Sequence, residues 1–307
     1  MASSKTFSKS ISNSSLSLLL ALGLAVPAGM TLANALGSGA AQAHALRPAY
    51  RVVTVESAAG LLDAIGPDRT IILKPNAYDL SAKMPIKHPD YLEYDKDTGG
   101  LVIKNVRNLR LIGSDVRATK VVISQHFANV LSFKDSSGIE IRSIEFGHIP
   151  QSNSVCLGAV LAFTNSRNIR LSDVNLFGSG TFGLWLENSR NLILDNSVIK
   201  ECSQGIAFLS ASRQIAFSNS TFVNNAGGLN LWDGSEAMVS GSRFVHNHAE
   251  RSLNYAKTLF EVRGNGRLLV RDSRLTDNTA TGLVGQGAGS VRLRSNYMLR
   301  NRYSAAH

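Results

Sequence analysis

Between residues 161 and 247 the hydrophobic and polar positions repeat one pattern four times. Residues 161–177 read LAFTNSRNIRLSDVNLF, and 184–202 read LWLENSRNLILDNSVIKEC. Residues 206–225 read IAFLSASRQIAFSNSTFVNN, and 229–247 read LNLWDGSEAMVSGSRFVHN. Each copy has an alternating strand, a polar turn, a second strand, a Ser corner, a third hydrophobic pair and an Asn-type corner. A repeat of this length built only from strands and turns predicts stacked coils. The predicted fold is all-β: a parallel β-helix with three strands per coil.

Extending the pattern gives nine rungs. Their first inward residues are Ile71, Leu101, Leu131, Leu161, Leu184, Ile206, Leu229, Phe260 and Leu283. The basal coil is 22–23 residues, and longer intervals hold insertions at 81–100, 149–160 and 248–259. At roughly 4.8 Å per rung the stack would be about 40 Å long. Ahead of it, 58–66 (AAGLLDAIG) has apolar residues at helical spacing after Glu56-Ser57. A solenoid exposes its core at an open end, so this helix is the expected N-terminal cap.

Aligned rungs place like residues in columns. Ser197, Ser220, Ser242 and Ser273 form one; Cys202, Asn225, Asn247, Asn278 and Asn301 form another. Identical polar side chains one rung apart can hydrogen-bond along the stack, so both columns read as structural. Cys156 falls in an insertion two rungs before Cys202, about 9–10 Å away in rise. A disulfide needs Cα atoms within roughly 7 Å, which argues against a bridge.

With these columns, residues 50–303 resemble the right-handed parallel β-helix superfamily of pectate lyases and related carbohydrate-active enzymes. They are also similar to exported bacterial β-helix proteins in which a Gly-His turn and a Cys-x-Gly-x-Val segment precede a rung; here these are Gly147-His148 and Cys156-Leu157-Gly158-Ala159-Val160. The Asp-Asp, Gly-His-Gly and Arg-x-Lys signatures of polygalacturonases are absent, and His88-Pro89-Asp90 does not match the Asp-Pro-His-Asp of alginate epimerases. The resemblance implies that a substrate lies along the outward face of one sheet.

Strand side chains alternate faces. The outward columns of the first strand are then Ile72, Val102, Ser132, Ala162, Trp185, Ala207, Asn230, Glu261 and Val284, beside Lys74, Lys104, Lys134, Thr164, Glu187, Leu209, Trp232, Arg263 and Gln286. Both tryptophans and a three-lysine stripe fall here. Indole faces suit sugar rings, and Lys or Arg pair with uronate or sulfate, which makes Trp185, Trp232, Asn230, Glu261, Lys104 and Lys74 candidate substrate contacts. The alternative reading packs Trp under a loop and leaves the lysines as a solvated face.

The adjoining corner carries His148, Gly178, Glu201, Asn224, His246, Asp277 and Arg300, and two insertions rise from it as the walls of a cleft. The 81–100 insertion adds Tyr91, Tyr94, Asp90, Glu93, Asp95 and Asp97, as a lid, a cation site or an ordinary loop. Uronate elimination needs a neutralised carboxylate, a base and a proton donor to the leaving oxygen. Arg263, His246, His148, Lys134 and Glu187 are the catalytic candidates. Ca²⁺ is a candidate cofactor, with Glu187, Glu201, His246 and His248 as candidate metal ligands. Glu187 and Glu261 lie three rungs, about 14 Å, apart, too far for the carboxylate pair of a hydrolase, whereas Glu187 with Glu201 remains a possible pair.

The 307-residue chain carries a net charge of +10, with Lys5 and Lys9 in a Ser-rich leader. A basic balance favours anionic partners or merely aids solubility. Residues 16–29 (LSLLLALGLAVPAG) are an apolar run followed by Ala33-Asn34-Ala35 and Ala41-Gln42-Ala43. This predicts a signal peptide over 1–43, cleaved near 35 or 43, with an uncleaved anchor as the alternative. The expected product is an exported monomer, periplasmic or secreted, with no transmembrane span. Its expected partner is an acidic polysaccharide or other anionic envelope glycan, not nucleic acid, processed by lyase or epimerase chemistry if the protein is catalytic. The alternatives are a non-catalytic surface interaction module and periplasmic metal handling.

Overall fold

In a computed structural model, residues 50–149, 157–285, 287 and 289–304 are described. The expected signal peptide, Cys156 and Gln286 lie outside them. The described residues all belong to the compact unit Leu46–His307.

One coil shows the construction. Phe182–Glu187 lies in what we term the front sheet, Arg190–Asp195 in the back sheet and Val198–Lys200 in the side sheet. The next front strand, Gly205–Ser210, pairs in parallel with the first. Repetition builds a nine-stranded front, a ten-stranded back and a nine-stranded side sheet. The one antiparallel pairing among the described residues puts Leu92–Tyr94, from the 81–100 insertion, against Leu101–Lys104 at the front-sheet edge. Inward Leu, Ile and Phe make one continuous core, with Phe133 stacked on Phe163 at 4.9 Å. Burial of each such side chain stabilises the fold by about 1.5–3 kcal/mol.

The helix Ala58–Ala64 starts at Ser57, whose hydroxyl accepts the Gly60 N–H, and buries Leu61 and Leu62. It follows Arg51–Val55, the edge strand of the back sheet, so it closes onto the first strands of the stack.

Corners are held by side chains where the backbone turns. Asn188, Asn191, Asn196 and Glu201 have φ between 46° and 58°, and Asn tolerates this left-handed region better than most residues. The Ser column forms as read: the amides of Ser197, Ser220 and Ser242 donate to the hydroxyls of Ser220, Ser242 and Ser273 at 3.1–3.2 Å. In the Asn column, Asn225 Nδ2 donates to Asn247 Oδ1 and Asn247 Nδ2 to Asn278 Oδ1, both at 2.9 Å. Cys202 occupies the same column, buried, its amide donating to Asn225 Oδ1. A further Ser ladder, Ser136, Ser166, Ser189, Ser212 and Ser235, fills the front–back corner.

Three rungs differ from the sequence reading. Ile71 belongs to the back sheet, paired with Leu111, because the same alternation serves all three sheets and the 81–100 insertion blurs the count. Leu184 pairs with Ala207, not Ile206, and Phe260 pairs with Val284, not Leu283. A one-residue slip exchanges faces. Ala207 and Leu209 therefore point inward, and Phe208 takes the outward place.

Candidate functional site

The outward face of the front sheet splits into two parts. Along the N-terminal half runs a groove of about 350 Å³. Its floor includes Ser132, Lys134, Ala162, Thr164, Trp185 and Glu187. Asp95 and Thr98 stand at one wall, and Phe127, Asn129 and Leu157 at the other.

Each wall is fixed locally. Asp95 Oδ1 accepts the Thr98 amide and hydroxyl, both at 2.8 Å. These bonds, with a smaller pull from Lys134, hold its carboxyl below the usual carboxylate range. Opposite, Asn129 Oδ1 accepts the Ala159 amide at 2.8 Å. Gly158 is required there, since a Cβ would lie 1.8 Å from the Ala128 carbonyl oxygen. Behind this wall the His148 ring, only 2% exposed, has Nε2 2.9 Å from that same oxygen. A carbonyl only accepts, so Nε2–H donates. Burial pushes this imidazole below its ordinary pKa, more than the hydrogen bond raises it. His148 thus braces the wall and is not an exposed corner group.

The lysine stripe does not survive as a row. Lys74 lies beyond the back-sheet strand Arg69–Leu73 and pairs with Glu56 at 2.9 Å. Lys104 pairs with Glu93. Lys134 forms no ion pair among the described residues, and the Glu187 carboxylate has no hydrogen-bond partner among them either.

Over the C-terminal half the face is covered. Trp185, Phe208 and Trp232 project from successive front strands. Phe182 joins them, and Tyr255 of the 248–259 insertion packs on Phe182, Phe208 and Trp232 at 4.7–6.0 Å. Gln204 Oε1 straps the insertion down by accepting the Leu253 and Asn254 amides at 3.0 and 3.2 Å. Arg263 lies 4.3 Å from the Trp232 ring centroid, with Nε 3.1 Å from Glu261. Glu261 also accepts from Thr258 and is shielded by Gly285, where a Cβ would fall 1.6 Å from its Oε2. Asn230 is fully buried. Arg263, Glu261, Asn230 and Trp232 are therefore engaged beneath or beside this cover, apart from the groove.

The metal candidates are not brought together. Glu187 ends one front strand at the back-sheet corner, whereas Glu201 precedes the next at the side-sheet corner. His246 turns that second corner with φ 51°, and His248 Nδ1 is 2.9 Å from Thr279 Oγ1. Among the described residues no three His, Cys, Asp or Glu side chains cluster as a metal site. Ca²⁺ takes 6–8 oxygen ligands, and the groove's Asp95 and Glu187 do not furnish such a set.

Sequence reasoning missed Phe208, Tyr255, Gln204, Phe127 and Asn129. Gly205–Leu209 is an unbroken apolar run, buried on both faces because the insertion covers the outer one, so no period-two signal marks its register.

A family model described as "Right handed beta helix region" matches residues 97–248. The chain has the right-handed parallel β-helix fold. Solved structures with this fold include an alginate lyase from Paenibacillus sp. str. FPU-7, at 12% identity and TM-score 0.58, covering 82% of this chain and 98% of that one. A Bacillus pectate lyase in complex with trigalacturonate gives 12% and 0.55, with 81% and 82% covered. The catalytic domain of an α-1,3-glucanase in complex with nigerose gives 12% and 0.54, with 81% and 45% covered. At this identity the likeness is one of fold. No curated protein sequence matches the chain. No helix among the described residues is long and apolar enough to cross a membrane.

Proposed function

We propose that this right-handed β-helix binds an acidic polysaccharide in the front groove, as an exported protein. Trp185 offers a flat apolar surface to a sugar ring. Lys134 pairs with a uronate carboxylate, while Asn129, Ser132 and Thr164 supply hydrogen-bonding groups. The observation that carries this reading is the availability of Lys134, in a groove floored by Trp185, where Lys74 and Lys104 are already paired. The alginate lyase and the trigalacturonate-bound pectate lyase show that proteins of this fold take such chains.

The free Glu187 carboxylate favours uronate elimination as a second reading. Lys134 would neutralise the substrate carboxylate and Glu187 would take the C5 proton. The released pair would form the C4–C5 double bond as the C4–O bond breaks, a donor protonating the departing oxygen.

The test is a binding and turnover screen of the chain with polygalacturonate, alginate and a neutral α-glucan, with Ca²⁺ and with chelator. Binding to uronate polymers, weakened in Lys134→Ala and Trp185→Ala, is expected. Rising ultraviolet absorbance from unsaturated uronate, lost in Glu187→Gln, would establish elimination. Binding without that absorbance would make the protein a non-catalytic module. Equal binding of the neutral glucan would overturn the acidic assignment.

A further inference from the structure

The chain's excess positive charge is not in the front groove, whose charged lining is Asp95, Lys134 and Glu187. Three of the chain's arginines stand in a row elsewhere. At the front–back corner, Arg167 is the register partner of Arg190, and Arg190 of Arg213. The three guanidinium groups stand on consecutive rungs about 4.8 Å apart. All three residues are exposed, and none forms an ion pair among the described residues. Two adjoining hollows follow the row, one lined by Asn165, Arg167, Asn188 and Arg190, the next by Asn188, Arg190, Arg213 and Asp233.

Like charges held in register repel one another, and a fold gains nothing by aligning them. The row's scaffold is rigid. Ser166, Ser189 and Ser212 lock the backbone beside each arginine, and Asn188 Nδ2 donates to Asn165 Oδ1 at 2.8 Å. Acids mark both ends: Asp135, bound by Asn165, and Asp233, bound by Ser210. The result is a straight cationic track three rungs long, parallel to the stacking axis.

We infer that this corner is a second binding site, for a linear uronate polysaccharide laid along the Arg167, Arg190 and Arg213 row. Guanidinium pairs bidentately with carboxylate, and one carboxylate per sugar ring gives a straight polymer a regular anionic repeat. Single-stranded nucleic acid would need aromatic side chains between the cations for base stacking, and neither hollow contains one. The inference is independent of the front groove, because no residue is shared.

The experiment measures polygalacturonate binding to the full chain at low and high salt. The variants are the triple Arg167→Gln/Arg190→Gln/Arg213→Gln, the single Arg190→Glu and the groove double Lys134→Ala/Trp185→Ala. Each variant's thermal midpoint verifies its fold; Arg190→Glu serves if the triple does not fold. The triple is expected to lose affinity on the order of tenfold at low salt, with the difference shrinking at high salt. The groove double variant is expected to keep the salt-sensitive part, and polygalacturonate is expected to protect Arg190 from phenylglyoxal. Wild-type affinity in the folded triple or in Arg190→Glu overturns the inference, as does single-stranded DNA binding the row more tightly than polygalacturonate. Loss confined to the groove double variant would uphold the groove and remove the row.

Discussion

Trp185 and Phe208 are register partners on neighbouring front strands, and their ring centroids lie 4.4 Å apart. The pair is the seam of the front face. Trp185 also lines the open groove, whereas Phe208, 6% exposed, contacts Tyr255 and Trp232 beneath the insertion.

The two aromatics should therefore separate binding from stability. Phe208→Ala removes a ring buried between strand and insertion, a change that costs about 3–5 kcal/mol in cores. Trp185→Ala leaves a gap open to solvent and should cost less while weakening glycan binding. Denaturant midpoints and titration with polygalacturonate check both. A Trp185→Ala protein as destabilised as Phe208→Ala would make Trp185 part of the covered cluster instead.

Much of this was legible in the chain. Ser197, Ser220, Asn225 and Asn247 recur at near-constant spacing because ladder bonds require like residues one rung apart, so corners and coils could be read directly. The slip at Phe208 has the opposite cause. An insertion from a later rung covers this strand, and long-range packing leaves no local period in Gly205–Leu209. Lys104 and Lys134 could be placed in one column, but Glu93, which pairs with Lys104, comes from an insertion whose path the pattern does not encode. The groove's floor was thus readable, while its walls and the state of its charges depended on loops.

Asn247 is fully buried and joined to Asn225 and Asn278, and its Nδ2 also donates to the Phe222 carbonyl at 2.9 Å. Asn247→Ala strands the Asn225 backbone amide without its acceptor and removes one of the two bonds of Asn225 Nδ2, which keeps the Ile199 carbonyl. Each buried group so orphaned costs about 1–3 kcal/mol. The urea midpoint should fall with the m-value unchanged. Stability within 0.5 kcal/mol of wild type, about the range of surface changes, would show the ladder to be dispensable.

Gln204 is 4% exposed and is the anchor of the 248–259 insertion. Gln204→Ala removes the acceptor for two amides without touching the coils. Hydrogen exchange should quicken at Leu253 and Asn254 while the front-strand amides of Ala207 and Leu209 keep their protection. Loosening the strap should also raise quenching of tryptophan fluorescence by acrylamide, as Trp232 loses its Tyr255 cover. Unchanged exchange at both amides would show that the remaining contacts, Tyr255 on the aromatic cluster and the Ser252 hydroxyl on the Gln204 carbonyl among them, hold the insertion.

His148 gives the fold a dependence on pH with a defined sign. Its ring is buried, with the His126 imidazole adding a smaller repulsion, so the folded pKa lies below that of the unfolded chain. The unfolded value is about 6.5. As pH falls through that value the unfolded chain takes up a proton that the folded chain refuses. Stability is therefore full above it and declines down to the folded pKa, by at most about 1.4 kcal/mol per pH unit for one group. His148→Gln keeps a donor for the Ala128 carbonyl and cannot titrate. It should be less stable than wild type at pH 8 through imperfect packing, and its stability should fall less steeply between pH 6.5 and 5. Parallel slopes in urea unfolding across that window would show that His148 is not the group responsible.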